Sequence, residues 1–460
     1  MLFNSLQFLI FFMVVTLAYF QLPNQRSRVW LLLVASCYFY MSFVPKYLLI
    51  LGGTIVIDYF AGFLIAKSEG RPRKAWLTMS IIANVGVLVY FKYFDFLLDT
   101  VAPVIRDLFP HYDIPYLSIL LPIGLSFHTF QAMSYTIEVY RGKQPPEKNF
   151  VVYALYVMFY PQLVAGPIER PQNILPQLHT YQPYNWDKVK EGLARMLWGF
   201  FKKVVIADRL AIEVTHAYNH TGLSAWSLWV SAIFYSFQIY CDFSGYSDIA
   251  LGSAKVMGID LMENFKQPYL SANITEFWTR WHVSLSSWFR DYLYIPLGGN
   301  RRGEARRRIN VFITFLLSGL WHGANFTFLV WGALHGLLVT LLPGAKSSKN
   351  RVVSKVAKIV LNFLLVTICW VFFRSPDVHF AFRYIGGLFN FVSGSTTFGL
   401  NGNELLFSAG LIAFLLWREF RLKSFLIQKD ESFAFYVFVM VVGCYFFGVF
   451  GENQFIYFQF

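Results

Sequence analysis

Apolar stretches long enough to cross a lipid bilayer recur from one end of the chain to the other, and this repetition restricts the fold more than any other feature. A spanning α-helix needs about 20 mostly apolar residues to cross a hydrocarbon core about 30 Å thick. Only 14% of the 460 residues are charged, whereas 56% are hydrophobic. The clearest windows cover residues 6–22, 29–43, 47–66, 75–91, 117–139, 226–240, 359–373 and 433–450.

When the shorter and broken windows are added, hydropathy predicts roughly 11 to 13 transmembrane or re-entrant helices. We expect an all-α, polytopic integral membrane protein whose helices surround a central polar cavity. The first window has neither a basic segment before it nor a small-residue cleavage site, so we interpret it as a retained span. No soluble domain or internal repeat is evident, which favours a single membrane-bound domain over residues 1–460.

The net charge of +13 reflects basic residues in short loops between the windows. Arg26 and Arg28 follow the first window, residues 67–74 follow the third, and residues 141–148 follow the fifth. This alternation matches the positive-inside rule, so we expect an N-terminus outside the cytoplasm, and membrane lipid rather than nucleic acid as a partner. The four cysteines are scattered singly through apolar segments, so we expect no metal site.

The stretch "SGLWHGANFTF" places a histidine inside a long apolar segment. Residues 309–342 separate two basic runs, 301–308 and 346–355, and would measure about 51 Å as one straight helix. Since that length exceeds the hydrocarbon core and both flanks are basic, we expect a hairpin or broken helix that starts and ends on the cytoplasmic side. The glycines and asparagine of residues 319–325 favour a turn there, with His322 near its apex.

A histidine at such a depth can serve as a general base, because imidazole exchanges a proton near neutral pH. Ionisable side chains inside a membrane are costly and are by default candidates for functional sites. The alternative for His322 is a packing role in which its ring donates to a backbone carbonyl. His128 and His335 are interpreted as packing residues.

Residues 275–299, "TEFWTRWHVSLSSWFRDYLYIPLGG", are too polar for an ordinary span and favour an amphipathic re-entrant or interfacial helix. His282 lies in this segment, close in sequence to Ser284, and is a second catalytic candidate. Arg280 and Arg290 could contact either lipid phosphates or the phosphate groups of a donor substrate.

A third polar cluster, residues 238–252, contains Asp242 and Asp248 at the end of an apolar window. Carboxylates six residues apart do not share a helix face, so a two-carboxylate hydrolytic pair is disfavoured. Orienting a histidine or capping a helix is the expected role. The chain also lacks the GxSxG, P-loop, HExxH and dinucleotide-binding signatures.

Four stretches resemble motifs of the membrane-bound O-acyltransferase family, and in particular of its alginate O-acetylase branch. They are "YPQLVAGPIERP" (160–171), "YCDFSGYSDIALG" (240–252), "ENFKQPYLSANITEFWTRWHVSLSSWFRDYLYIPLGGNRRG" (263–303) and "SGLWHGANFTFLVWGALHG" (318–336). The C-terminal "FIYFQF" (455–460) fits the same branch. The resemblance extends over essentially the whole chain and implies one acyltransferase domain, with its catalytic core at residues 271–342.

The resemblance implies that an acyl group passes from a cytoplasmic thioester, acetyl-CoA in this branch, to an exopolysaccharide or cell-wall glycan outside. It implies a bacterial inner-membrane location, no bound cofactor, and a periplasmic partner of the SGNH esterase type. His322 matches the histidine regarded as catalytic in the family, and His282 matches a second candidate.

Residue chemistry and resemblance together predict that His322 removes the proton of an acceptor hydroxyl as the hydroxyl oxygen attacks the thioester carbonyl. His282 or Asp242 could orient the His322 ring, and Asn325 or Ser284 could stabilise the oxyanion. Three other functions stay open: D-alanyl transfer from a carrier protein to teichoic acid, a proton-coupled transporter, and a non-catalytic scaffold.

Overall fold

The computed structural model describes residues 1–109, 121–164, 166–342, 352–421, 429–451 and 455–456. This part of the chain is built from helices without β-strands, and Leu223 and Ser395 form an isolated parallel bridge. The all-α prediction is therefore confirmed. Parts of four predicted features lie outside the described residues: the start of the window 117–139, Ala165 of the first motif, most of the basic run 346–355, and residues 457–460 of the C-terminal motif.

The helices are numbered in chain order. π-Helical turns occupy Val89–Tyr93, Phe201–Ala207 and Arg290–Tyr294, and a 3₁₀ turn occupies Pro268–Leu270. The α-helices are α1 (Leu6–Gln21), α2 (Gln25–Met41), α3 (Tyr47–Lys67), α4 (Gly70–Leu88), α5 (Phe94–Leu108), α6 (Leu125–Tyr140), α7 (Phe150–Met158), α8 (Tyr160–Leu163), α9 (Pro171–His179), α10 (Trp186–Phe200), α11 (Asp208–Asn219), α12 (Ala225–Val256), α13 (Ile274–Arg280), α14 (Val283–Phe289), α15 (Gly303–His322), α16 (Phe326–Leu341), α17 (Val352–Arg374), α18 (Val378–Leu388), α19 (Gly402–Arg421) and α20 (Asp430–Phe447).

Each of the eight apolar windows overlaps one of these helices in its described residues. In the described ranges, four helical segments are long and apolar enough to cross a membrane: Tyr47–Lys67, Gly70–Leu108, Lys355–Arg374 and Asp430–Phe447. Two shorter apolar helices are Leu6–Gln21 and Phe326–Leu341. The predicted number of roughly 11 to 13 membrane helices is larger because it also includes broken and shorter apolar segments. Those segments are not among the four long apolar helices.

The chain folds into two compact units. The first contains Met1–Gly192 and Ala250–Met262, and the second contains Leu193–Ile249 and Glu263–Phe460. In the first unit, helices α3, α4 and α6 enclose the fully buried Asp58. Ser80 donates to Asp58 Oδ1 at 2.6 Å and Asn84 donates to Asp58 Oδ2 at 2.8 Å, so both carboxyl oxygens have donors within the apolar interior.

The second unit contains the predicted catalytic core, where α15 and α16 form a helical hairpin. The chain turns at Gly323, Ala324 and Asn325, which confirms the predicted turn within residues 319–325. Gly332 packs directly on the backbone at Phe315 and Gly319, so a side chain at position 332 would collide with the facing helix. Small residues at such crossings let two backbones approach closely, which is how apolar helices associate inside a membrane.

Candidate active site

His322 is the last residue of α15 and lies at the apex of the hairpin, where it is 3% exposed. Three aromatic rings contact the imidazole edge to face: Trp321 at 5.0 Å, Trp331 at 5.0 Å and Phe373 at 5.3 Å between ring centroids. Trp331 belongs to α16 and Phe373 to α17, so three helices fix the position of the ring. The structure thus encloses the His322 ring and fixes its position, and its role as a general base stays a prediction.

A cavity of about 320 Å³ lies beside the hairpin, between α15 and the α13–α14 segment. Val311, Thr314, Phe315 and Ser318 of α15 line one wall. These positions follow the i, i+3, i+4, i+7 pattern of one helix face, and His322 is the next position on that face, one turn beyond Ser318. The cavity therefore lies on the α15 face that ends at His322, although neither His322 nor the basic run 301–308 lines it.

The opposite wall of the cavity combines polar and aromatic side chains of the α13–α14 segment. Ser286, Ser287 and Arg290 contribute hydroxyl and guanidinium groups, and Trp278 and Phe289 contribute rings. Trp278 donates through its indole Nε1 to Nδ1 of the buried His335, at 3.3 Å. His335 thus supports a wall of the cavity, in keeping with its predicted packing role. The arrangement of all the helices around one central cavity stays a prediction.

The polar segment 275–299 forms two short helices, α13 and α14, and a π-helical turn. The expected amphipathic helix is broken at Trp281 and His282. His282 is fully buried and has left-handed backbone angles, φ 43° and ψ 55°, which a residue other than glycine rarely adopts. Its ring packs edge to face on Phe243, at 4.7 Å. Trp321, the neighbour of His322, lies 6.3 Å from the same ring.

The two oxyanion candidates have local hydrogen-bond partners. Asn325 caps α16: its Oδ1 accepts from the Thr327 amide at 2.9 Å, and its Nδ2 donates to the Pro376 carbonyl at 2.9 Å. Ser284 donates to Asn264 Oδ1 at 2.6 Å, and its hydroxyl lies 3.5 Å from His282 Nδ1. Ser284 would have to release Asn264 to donate to an oxyanion, whereas Asn325 Nδ2 has a second N–H besides the one on Pro376. An oxyanion role for either residue stays a prediction.

The two arginine candidates differ in position. Arg290 lines the cavity, and its side chain is 63% exposed while its Nε donates to Asp291 at 2.8 Å. Arg280, at the end of α13, pairs with Glu276 at 2.6 Å. Of the two, Arg290 lines the cavity and Arg280 does not, and donor binding by either stays a prediction.

Asp242, on α12, is held in a buried ion cluster. Its Oδ1 lies 2.7 Å from Lys203 Nζ, and its Oδ2 accepts from the Ile456 backbone amide at 2.7 Å. Lys203 also pairs with Asp208 at 2.8 Å. These contacts account for a carboxylate that is only 3% exposed. The predicted role of Asp242 in orienting a histidine stays a prediction.

Asp248, also on α12, has a different pair of cations. Lys202 Nζ lies 2.6 Å from its Oδ2, and Arg195 Nε donates to its Oδ1 at 2.9 Å. Arg195 also pairs with Glu263 at 2.5 Å. The two aspartates therefore point to different partners, as expected for positions on different helix faces.

Sequence reasoning missed Lys202 and Lys203, which lie in the π-helical turn Phe201–Ala207 and are nearly fully buried. The available signal is the adjacent pair of lysines inside the apolar stretch "GFFKKVVIA". A buried ammonium needs a carboxylate partner, so this pair could have been matched with the two aspartates of α12. Among the described residues, no group of three or more His, Cys, Asp or Glu side chains is placed to hold a metal ion.

Comparison with known proteins agrees with this architecture. A sequence profile of the membrane-bound O-acyltransferase family matches residues 143–374, which include both candidate histidines. The probable alginate O-acetylase AlgI of Pseudomonas aeruginosa is 40% identical over 429 residues, covering 91% of this chain and 82% of that protein. The peptidoglycan O-acetyltransferase of Helicobacter pylori is 35% identical over 442 residues, covering 88% and 81%.

A more distant relative, the teichoic acid D-alanyltransferase of Bacillus subtilis, is 28% identical over 256 residues, covering 53% of this chain and 64% of that protein. The three names describe acyl transfer that involves alginate, peptidoglycan and teichoic acid. With the profile match and the apolar helical architecture, these relatives show that the chain belongs to the membrane-bound O-acyltransferase family and is a polytopic membrane O-acyltransferase.

Proposed function

We propose that the protein is an O-acetyltransferase that takes acetyl from acetyl-CoA on the cytoplasmic side and delivers it to a hydroxyl of an exopolysaccharide or cell-wall glycan. The observation that carries this proposal is the position of His322 at the end of the α15 face that lines the cavity. The identities of 40% and 35% to proteins named for O-acetyl transfer support acetyl over D-alanyl as the group moved.

The reaction exchanges a thioester for an ester. The acceptor oxygen forms a bond to the acetyl carbonyl carbon, and the carbon–sulfur bond of the donor breaks. His322 takes the hydroxyl proton during attack and returns it to the leaving thiolate, so the ring ends in its starting state. A cavity of about 320 Å³ is near the lower limit for small-molecule sites and suits the thioester arm of a donor better than a whole nucleotide.

The basic beginning of α15 supports a cytoplasmic entry for the donor. Arg307 and Arg308 pair with Glu304 there, and their hydrogen bonds lower the pKa of Glu304 to about 2. The remaining arginines, Arg301, Arg302 and Arg306, keep this end positive and could attract an anionic thioester. A bacterial inner-membrane location with the N-terminus outside is part of the proposal, and the basic loops after the first, third and fifth apolar windows support this orientation.

The direct test supplies radiolabelled acetyl-CoA to the purified protein in lipid nanodiscs, with unacetylated polysaccharide and with or without a periplasmic SGNH-type esterase homologue. We expect ester-linked label on the polysaccharide or on the added partner. A parallel reaction supplies a D-alanyl thioester of a carrier protein. Label transferred from this second donor alone would overturn the acetyl proposal and favour teichoic acid acylation.

Arg290→Gln is expected to raise the KM for acetyl-CoA about two- to fivefold at low salt, because an exposed charge pair contributes only modestly. The rise should shrink as added salt screens the interaction of the arginine with the donor phosphates. Arg383→Gln, an exposed change on α18, is the matched control and should leave the KM unchanged. Equal KM values for Arg290→Gln and wild type at low salt would remove Arg290 from the donor site.

A further inference from the structure

His282 and Gln267 are the residues other than glycine that have positive φ angles in the described part of the chain, at 43° and 53°. Such a backbone is strained in residues other than glycine and persists only where the surrounding structure imposes it. Both residues lie next to a pair of backbone hydrogen bonds that joins two chain segments: the Lys266 amide donates to the Arg280 carbonyl, and the Val283 amide donates to the Asn264 carbonyl, each at 2.9 Å.

The side chain of Asn264 adds further hydrogen bonds between the same two chain segments. Its Oδ1 accepts the Ser284 hydroxyl at 2.6 Å and the Ser284 amide at 3.4 Å. Its Nδ2 donates to Ser247 Oγ at 3.2 Å, which ties the turn to α12. Asn264 is 1% exposed and Ser284 is fully buried, so water does not compete for these bonds.

The bonds of Asn264 fix the two residues that follow His282, and they also fix the Ser284 hydroxyl beside His282 Nδ1. His282 precedes these two residues, so its strained backbone cannot relax toward the α-helical region unless the bonds of Asn264 to Val283 and Ser284 break. We infer that Asn264 is a positioning residue for His282: it holds the His282 turn in its left-handed conformation and thereby aims the imidazole. This inference rests on the proposed function, in which His282 supports acyl transfer by His322.

Asn264→Ala is expected to lower kcat for acetyl transfer about tenfold to a hundredfold with little change in KM, since buried hydrogen bonds of this kind are lost. Asn264→Asp keeps an acceptor for both Ser284 donors, and the Ser247 hydroxyl can rotate to donate to the second oxygen. The aspartate variant should therefore recover most of the rate. Full loss in both variants, with normal size-exclusion profiles, would contradict the inference.

A double-variant comparison tests whether Asn264 acts through His282. In a His282→Gln background, adding Asn264→Ala should cause little further loss of rate, because the residue being positioned is already gone. A further loss as large as in the wild-type background would overturn the inference.

Hydrogen–deuterium exchange gives a readout that does not depend on activity. In Asn264→Ala, the Ser284 amide should exchange about tenfold faster or more, because it loses its side-chain acceptor and the turn opens more often, whereas the Val283 amide keeps the backbone carbonyl of residue 264 as its acceptor. Unchanged exchange would contradict the positioning role of Asn264. A fully active His282→Gln variant would instead contradict the proposed role of His282, so the two failures are told apart.

Discussion

Replacing His322 by glutamine is expected to lower the rate of acetyl transfer by about a hundredfold to ten-thousandfold, the usual contribution of a general base. Glutamine fills a similar volume and keeps a polar group among Trp321, Trp331 and Phe373, but it cannot take a proton from the acceptor. The loss should fall on kcat, since the cavity face of α15 up to Ser318 is unchanged. Label transfer in nanodiscs measures it directly.

His379→Gln is the matched control, because His379 is exposed on α18 and lies outside the cavity lining. It should transfer acetyl at the wild-type rate. Wild-type activity in His322→Gln would eliminate His322 as the base and would revive the non-catalytic scaffold, in which a partner performs the chemistry. Loss in both variants would mean that histidine replacement damages the fold.

The hairpin that carries His322 could be predicted from the sequence because its signals are local. Basic residues mark one end of the apolar segment 309–342, its length exceeds one membrane crossing, and the residues from Gly319 to Asn325 break the apolar pattern. The charge, the length and the turn residues are all read within a few tens of residues of one another. The hairpin can therefore be predicted without knowing any contact to a distant part of the chain.

The surroundings of His282 could not be predicted in the same way. The polar and aromatic pattern of residues 275–299 is compatible with one amphipathic helix, and it contains no glycine or proline near position 282 to indicate a break. The break depends on Asn264, which is 18 positions away and pairs with the backbone after His282. A left-handed residue imposed by tertiary hydrogen bonds leaves no local signature.

Asn325 shows how a local signal can have two meanings. An asparagine after a glycine-containing turn and before an apolar run is a typical helix N-cap, and its Oδ1 caps α16 in this way. The same amide is chemically suitable for an oxyanion hole. Sequence alone cannot choose between these roles, and the bond from Asn325 to the Pro376 carbonyl favours the structural one.

For the ion clusters of the second unit, the sequence predicts that the aspartates need partners but not which residues those partners are. Two aspartates at the end of an apolar window require partners, and that much follows from the cost of burying charge. Their partners, Lys202 and Lys203, come from a π-helical turn about 40 residues earlier. Adjacent lysines in an ordinary α-helix point about 100° apart, and an extra residue per turn changes that angle. Hydropathy patterns contain no information on such a turn.

Lys203→Met is expected to destabilise the protein strongly, by about 3–5 kcal/mol, because it leaves Asp242 and Asp208 buried without their cation. Methionine fills most of the volume of lysine, so the loss reports on charge rather than on packing. The unfolding midpoint in detergent, followed by tryptophan fluorescence, should fall well below that of wild type. The C-terminal contact should weaken too, since Ile456 donates to the same aspartate.

The exposed pair at the start of α15 supplies the matched control for this change. Glu304→Gln removes the carboxylate that pairs with Arg307 and Arg308. Because Glu304 and Arg308 are exposed and Arg307 is partly exposed, the unfolding midpoint should stay near that of wild type. Adding Asp242→Asn to Lys203→Met should restore part of the lost stability, because it removes one of the two uncompensated charges. If Lys203→Met melts like wild type, the buried cluster does not stabilise the second unit, and the expected effect of leaving Asp242 and Asp208 without their cation is wrong.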